Sequence, residues 1–321
     1  MGGGKKRWRS ASVVKILVVF SFFLALLCFW KVVGCRSLRD TAAVVPTLGV
    51  IQPPSLSTLG LAKQLEPIEP ENVDYSHYES VYQAQMPERK KKSPPEVSRI
   101  YDSIGANYPC LWGGAPVWGE DSDYPKQQDG WKWICGLNSI SKPCVVYAIG
   151  SRNDIVFEIG VRKARPDCTV VIIDPTDLPP QTIADKYNFV LKQQMLRTKS
   201  HDKTIMHKGK PFPLHERTLE DMTKENGHNF IDILKVDVEG YENEAFTGMP
   251  VETLGVVGQL AVEVHKVDEL EKLVRYLEDR GFRLWHKERN PFARWCAELA
   301  FIQKGWRPEC KRYKLGECVL L

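Results

Sequence analysis

Between residues 107 and 304, short apolar runs alternate with amphipathic stretches, the pattern left by strands and helices taken in turn. Cys144-Val145-Val146-Tyr147-Ala148-Ile149-Gly150 is an unbroken apolar run ending in a glycine, followed by polar Ser151-Arg152-Asn153-Asp154. It predicts a strand, a turn, and a helix over residues 154–164 that stops before Pro166. Thr169 to Ile173 predicts a second strand, closed by Asp174-Pro175, and Ile231 to Val236 a third that runs into Asp237-Val238-Glu239-Gly240. Strands this apolar on both faces belong to a sheet covered on both sides, which is how parallel sheets are built.

Downstream, residues 181–196 have mixed helical character, and Leu214 to Leu219 with Glu220-Asp221-Met222 reads as a strand passing into a helix. Leu260 to His265 is a further strand. Val267, Leu270, Val274 and Leu277 lay one apolar stripe along a helix from Val267 to Arg280, with Gly281 as its stop. Phe282 to His286 and Cys296 to Ile302 are two last strands joined by a loop containing Asn290-Pro291. The fold class expected is α/β: a Rossmann-like, mostly parallel sheet with an antiparallel C-terminal edge hairpin.

In open α/β sheets ligands bind beyond the carboxyl ends of the strands. Asp237 and Glu239, two residues apart, point to one face there, and Glu263 and His265 end the next strand. Asp174 follows Gly150 at the spacing at which a nucleotide-binding βαβ unit places its ribose carboxylate. With a single glycine in the turn, this is not the G-x-G-x-x-G fingerprint. Solvated acids at an ordinary strand end, a ligand-free βαβ crossover and a structural histidine are the plain readings of the same residues.

Val145 to Gly150, Ile172-Ile173-Asp174-Pro175 and Leu234-Lys235-Val236-Asp237-Val238-Glu239-Gly240-Tyr241-Glu242, in that order, resemble the FkbM-like S-adenosylmethionine-dependent methyltransferases. The approach Asp129-Gly130-Trp131-Lys132-Trp133-Ile134-Cys135 is similar to the membrane-anchored methyltransferase-like 24 group within it. The resemblance spans residues 107–304 and implies S-adenosylmethionine as cofactor, with Asp174 on the ribose and Gly150, Ser151 and Asn153 beside the amino-acid end. Asp237 would lie nearest the methyl group and also belong to the catalytic set of His265, Asp237, Glu239 and Glu263. His265 is the foremost general base, because an unperturbed imidazole titrates near neutrality. The chain departs from the family in having Ala148 where an acid is common and only Gly150 in the loop. A divalent ion at Asp237, Glu239, Glu263 or His265 suits oxygen-rich chemistry but is not favoured, and no metal ligand is assigned.

Lys5, Lys6, Arg7 and Arg9 precede an apolar segment from Val13 to Gly34, which reads as a transmembrane signal anchor with residues 1–12 as a cytoplasmic tail. A secretory signal cleaved at Gly34 is the competing reading. Residues 35–106, broken by Pro53-Pro54, Pro67, Pro70, Pro87 and Pro94-Pro95, read as a stem. Residues 107–304 then form the methyltransferase-like domain and 305–321 a Cys-containing tail. Either N-terminal reading sends the domain into the oxidising secretory pathway, in a Golgi or ER membrane or secreted, with a glycan or small hydroxylated molecule as the implied acceptor.

Nine cysteines agree with that compartment. Cys110 with Cys135 and Cys310 with Cys318 are candidate bridges, while Cys144 and Cys168, in or beside strands, are expected as buried thiols. A net charge of +4 over 321 residues is no nucleic-acid footprint, and oligomeric state is not legible. Two other classes are weighed. A catalytically inactive methyltransferase-fold binding protein would explain the glycine-poor loop, and a type II glycosyltransferase would use Asp121-Ser122-Asp123 as a metal-nucleotide motif.

Overall fold

The computed structural model describes residues 97–124, 130–290 and 296–319. Seven strands form the central sheet: β1 (Val145–Ile149), β2 (Thr169–Ile173), β3 (Phe189–Lys192), β4 (Ile231–Val236), β5 (Val257–Val264), β6 (Phe282–Arg289) and β7 (Ala297–Gln303). Their order across the sheet is β6-β7-β5-β4-β1-β2-β3. β1 to β5 pair in parallel and β7 alone runs against its neighbours. This is the expected Rossmann-like sheet with its C-terminal hairpin at one edge. Strand order reverses between β1 and β4, which places the binding crevice beyond their carboxyl ends.

β1 and β4 are buried throughout because both faces are covered, and the two charged residues within β4, Asp232 and Lys235, are paired with Lys311 and Glu158. Val145, Tyr147 and Ile149 enter one core with Leu234, Val236 and Leu273, while Val146 and Ile233 enter the other with Phe157 and Ile159. The helices between strands are α1 (Val156–Ala164), α2 (Gln181–Tyr187), α3 (Leu219–Glu225), α4 (Glu242–Thr247), α5 (Val251–Leu254) and α6 (Leu270–Glu278).

Several expectations need correction. α2 ends at Tyr187 because Asn188 turns left-handed at φ 53, and Phe189–Lys192 is strand, drawn from helix by pairing with β2. The strand expected from Leu214 is the second arm of an unexpected hairpin, His201–His207 with Lys210–Arg217, outside the central sheet; its first arm is largely exposed on both faces, and in the second only Leu214 and Glu216 are buried, so little apolar alternation announced it. The stem boundary at residue 106 lies too far along, since Val97–Ser103 is a helix whose Ile100 joins Ile104 in the core. The tail is part of the domain too, with Trp306, Cys310 and Tyr313 buried.

Cys110–Cys135 and Cys310–Cys318 are disulfides, as expected, but so is Cys144–Cys168. Cys144 and Cys168 each stand one residue ahead of neighbouring parallel strands whose register pairs Val145 with Thr169, so the two thiols meet. Cys296 is buried and in no disulfide. The predicted membrane segment and most of the stem lie outside the described residues; among those described, no helix is long and apolar enough to cross a membrane.

Candidate active site at the carboxyl ends of β1, β4 and β5

The crevice is tight at its base. The backbone N–H of Asp237 donates to the carbonyl of Ile149 at 3.0 Å, and that of Gly150 to Ile173 at 2.8 Å, which stitches β4, β1 and β2 together where each ends. Gly150 has φ 83, and a Cβ there would stand 1.7 Å from the carbonyl oxygen of Asp237. Only glycine fits. Arg152 and Asn153 take φ values of 44 and 62, so the loop makes its left-handed turn without further glycines. The buried Ser151 hydroxyl has no hydrogen-bond partner among the described residues, and the Tyr124 hydroxyl holds Asn153 at both its carbonyl and its side-chain oxygen.

Asp174 is buried at the end of β2. One carboxylate oxygen accepts from the backbone of Thr176 and Asp177, each at 2.9 Å, and the other from the backbone of Arg152 at 2.8 Å. It therefore ties the second loop to the first and keeps accepting capacity on the Arg152 side, since an ionised carboxylate offers about four lone-pair sites.

The acids beyond β4 and β5 converge on two cations. His265 Nδ1 lies 2.9 Å from Glu242, while its Nε2 faces Asp237 and Glu239 at 3.7 Å and Glu263 at 4.0 Å. The backbone of Val238 and Gly240 also donates to Glu242, fixing the turn that carries Glu239. Lys132, from the outlying strand Lys132–Cys135, reaches Glu298 at 2.7 Å, Glu263 at 3.5 Å and Asp237 at 3.9 Å. It is brought there by Gln259 of β5, whose side-chain amide bonds both backbone groups of Cys135.

Glu263, Glu298 and Glu288 are direct cross-strand partners on β5, β7 and β6, so their side chains line one face in a row. Lys132 sits over the first two, and the indole N–H groups of Trp131 and Trp133 donate to Glu288 at 2.6 and 3.1 Å.

Burial, together with the neighbouring Glu263, pushes the Asp237 carboxyl up to about 8 despite Lys132. Burial would also raise Glu263, but Lys132, His265 and hydrogen bonds from Glu298 and Asn290 outweigh it and hold the group at about 2. Burial alone would lower His265; the bond to Glu242 and the charges of Asp237, Glu242 and Glu263 reverse this and lift the ring to about 10. The expectation of a near-neutral histidine base thus fails in its premise. Four acids surround the ring, whose raised value keeps it protonated at neutral pH, so that it donates rather than accepts.

All the residues expected at the site lie at this end of the sheet: Gly150, Ser151, Asn153 and Asp174 on the β1 and β2 loops, Asp237 and Glu239 beyond β4, Glu263 near the end of β5 and His265 just past it. Sequence reasoning missed Lys132, Glu242 and Glu298. A lysine between Trp131 and Trp133, and acids set inside the apolar runs at Glu263 and Glu298, were the available signals, because buried charge demands a partner. Asp121, the first acid of the glycosyltransferase-like triplet, is buried against Lys186 and Tyr187, so it is not presented to a nucleotide.

Comparison with curated proteins gives no match. Solved structures similar to parts of this chain include the fibrillarin pre-rRNA processing protein of Methanococcus jannaschii, at 12% identity and TM-score 0.35 over 52% of this chain and 69% of that one. A putative tRNA (m1A22) methyltransferase of Streptococcus pneumoniae in complex with S-adenosyl-L-methionine aligns at 12% identity and TM-score 0.32 over 52% and 69% of the two chains. A human methyltransferase 10 domain containing protein aligns at 12% and 0.33 over 74% of this chain and 100% of that one. The methyltransferase domain family model matches residues 120–303, more than half of the chain and the whole stretch from the Asp121 turn to the end of β7; the chain belongs to that methyltransferase domain family.

Proposed function

We propose that this chain is an S-adenosylmethionine-dependent methyltransferase of the secretory pathway acting on a glycan or another small hydroxylated acceptor. The observation that carries the reading is the contact of Gly150 with the Asp237 carbonyl where strand order reverses, flanked by the unpartnered Ser151 hydroxyl and by Asp174. The residues fit the cofactor. Ser151 offers a hydrogen-bonding group that none of the described residues satisfies, and Asp174 has acceptor capacity for ribose hydroxyls. When bound, the cofactor supplies an electrophilic methyl group on a sulfonium.

This chain's own part is alignment and charge. The carboxylates of Asp237, Glu239 and Glu263 face the position of a cationic sulfonium. An acceptor hydroxyl brought into line with that methyl group would give up its proton to the carboxylate rim. Glu239, with 44% of its side chain exposed, is its reachable ionised member, while Asp237, 20% exposed, is held largely protonated at neutral pH by burial and Glu263. His265 and Lys132 hold those acids in place. The left-handed turn at Arg152 and Asn153 supports an active loop over the inactive binding-protein reading.

Calorimetry on the full chain tests this. S-adenosylmethionine or its demethylated product should bind, and Asp174→Ala should weaken binding by about tenfold or more, the worth of hydrogen bonds to a charged group. A folded chain giving no heat with either ligand at about 1 mM, weaker than the usual range of specific sites, would sink the reading.

Membrane anchoring at residues 13–34 with a lumenal domain is part of the same proposal. The three disulfides among the described residues support it, because such bridges persist in oxidising compartments. A C-terminal tag should be protected from protease in intact microsomes. Digestion of the tag would overturn the lumenal placement.

A further inference from the structure

Asp237, Glu239 and Glu263 divide their oxygens in the same way. Asp237 Oδ2 and Glu263 Oε2 turn to Lys132, and Glu239 Oε1 turns to Arg152 at 3.5 Å. The second oxygen of each, Asp237 Oδ1, Glu239 Oε2 and Glu263 Oε1, turns instead to Nε2 of His265, at 3.7, 3.7 and 4.0 Å. Of these three, Glu263 Oε1 also accepts from Asn290 at 2.8 Å.

The imidazole gives an independent pointer to a ligand. Its side chain is only 9% exposed, Nδ1 is taken by Glu242 at 2.9 Å, and Nε2 is aimed into the gap without reaching hydrogen-bond distance of any of the three oxygens. A carboxylate on one ring nitrogen is the outer-shell arrangement that orients metal-binding histidines, and an ion entering the gap would take the place of the proton on Nε2. The Cys296 thiol is near as well, since donor atoms of Glu263, His265 and Cys296 all lie within 4.8 Å of one another.

We propose that Asp237, Glu239, Glu263 and His265 form a binding site for one divalent first-row transition ion, with Cys296 at its edge. Two donors on one ion, at bonds of about 2.0–2.6 Å, stand roughly 3–4 Å apart, which matches the three separations. A mixed set of carboxylate oxygen and imidazole nitrogen suits manganese or zinc better than magnesium or calcium. The sequence alone favours no metal, because it shows neither the division of the oxygens nor the approach of Cys296. Lys132 does not compete for this position, since it binds the opposite oxygens. On the methyl-transfer reading the ion would lie where the acceptor arrives and would ease loss of its hydroxyl proton; the site itself rests on geometry alone.

Binding is measured on the full chain without cofactor, by calorimetry with Zn2+ and by the loss of free-ion electron-spin resonance with Mn2+. The expected result is one ion per chain, with affinity lowered about tenfold or more by both Glu239→Gln and His265→Gln. Glu239 is half exposed, so its substitution leaves folding intact, and thermal unfolding checks the His265 variant. A folded chain that binds neither ion at about 1 mM, or binds one indifferently to either substitution, overturns the site and leaves the cluster as an ion-pair network. Cofactor calorimetry on the same sample separates that failure from a failure of the methyltransferase reading.

Discussion

A side chain's first carbon at Gly150 would stand 1.7 Å from the carbonyl oxygen of Asp237, a distance no packing rearrangement of side chains can relieve. The contact joins the loop proposed to hold the cofactor to the acid proposed to lie nearest the transferred group.

Gly150→Ala should therefore act on both. Its φ of 83 is unfavourable to alanine, and the backbone of one strand must move away from the other. The expected cost is on the order of 3 kcal/mol in chemical unfolding, with loss of cofactor heat even where the variant remains folded. An alanine variant that unfolds and binds like the wild type would remove Gly150 from the site.

What the sequence disclosed follows from local chemistry. Strands β1, β2 and β4 were legible because runs rich in Val, Ile and Leu ending in Gly150, Asp174 and Asp237 have few other uses, and α6 because its stripe repeats at helical spacing. β3 was not, because Phe189 to Lys192 is strand only through its neighbour β2. The Cys144–Cys168 bridge depends on register between strands, which no spacing along the chain encodes. His265 was found, but its charge was not, since that charge is set by Glu242, Asp237 and Glu263, drawn from two chain segments. Lys132 was hidden for the same reason; its acids lie 105 to 166 positions away, and only Gln259 and the strand pairing bring them together.

Acid should weaken the fold partly through Asp121. Hydrogen bonds from Lys186 and Tyr187 lower its carboxyl from 3.8 to about 2, against the effect of burial. A group depressed on folding contributes stability that is complete above its unfolded value and is lost as pH falls through the folded one. The melting-temperature gap between wild type and Asp121→Asn should therefore be widest above about pH 5 and shrink between about 4 and 2. A gap that is constant across that range would mean Asp121 gains nothing from its charge.

Removing Lys132 should be among the costliest single changes in the domain. Glu263 and Glu298 face each other across β5 and β7 in a buried setting, and the ammonium is what makes that tolerable. Burial and the charges of Glu263 and Asp237 already raise Glu298 well above the usual carboxylate range even with Lys132 in contact. Lys132→Met strands both acids at once, and breaking a buried pair from one side costs about 3–5 kcal/mol. Adding Glu298→Leu removes one of the stranded charges and should return a substantial part of the loss, because an apolar side chain in such a position is often neutral or better. Chemical denaturation of the two variants decides the matter. If the single substitution cost under about 1 kcal/mol, or the second deepened the loss, Lys132 would be a bystander to the acid row and not its counterion.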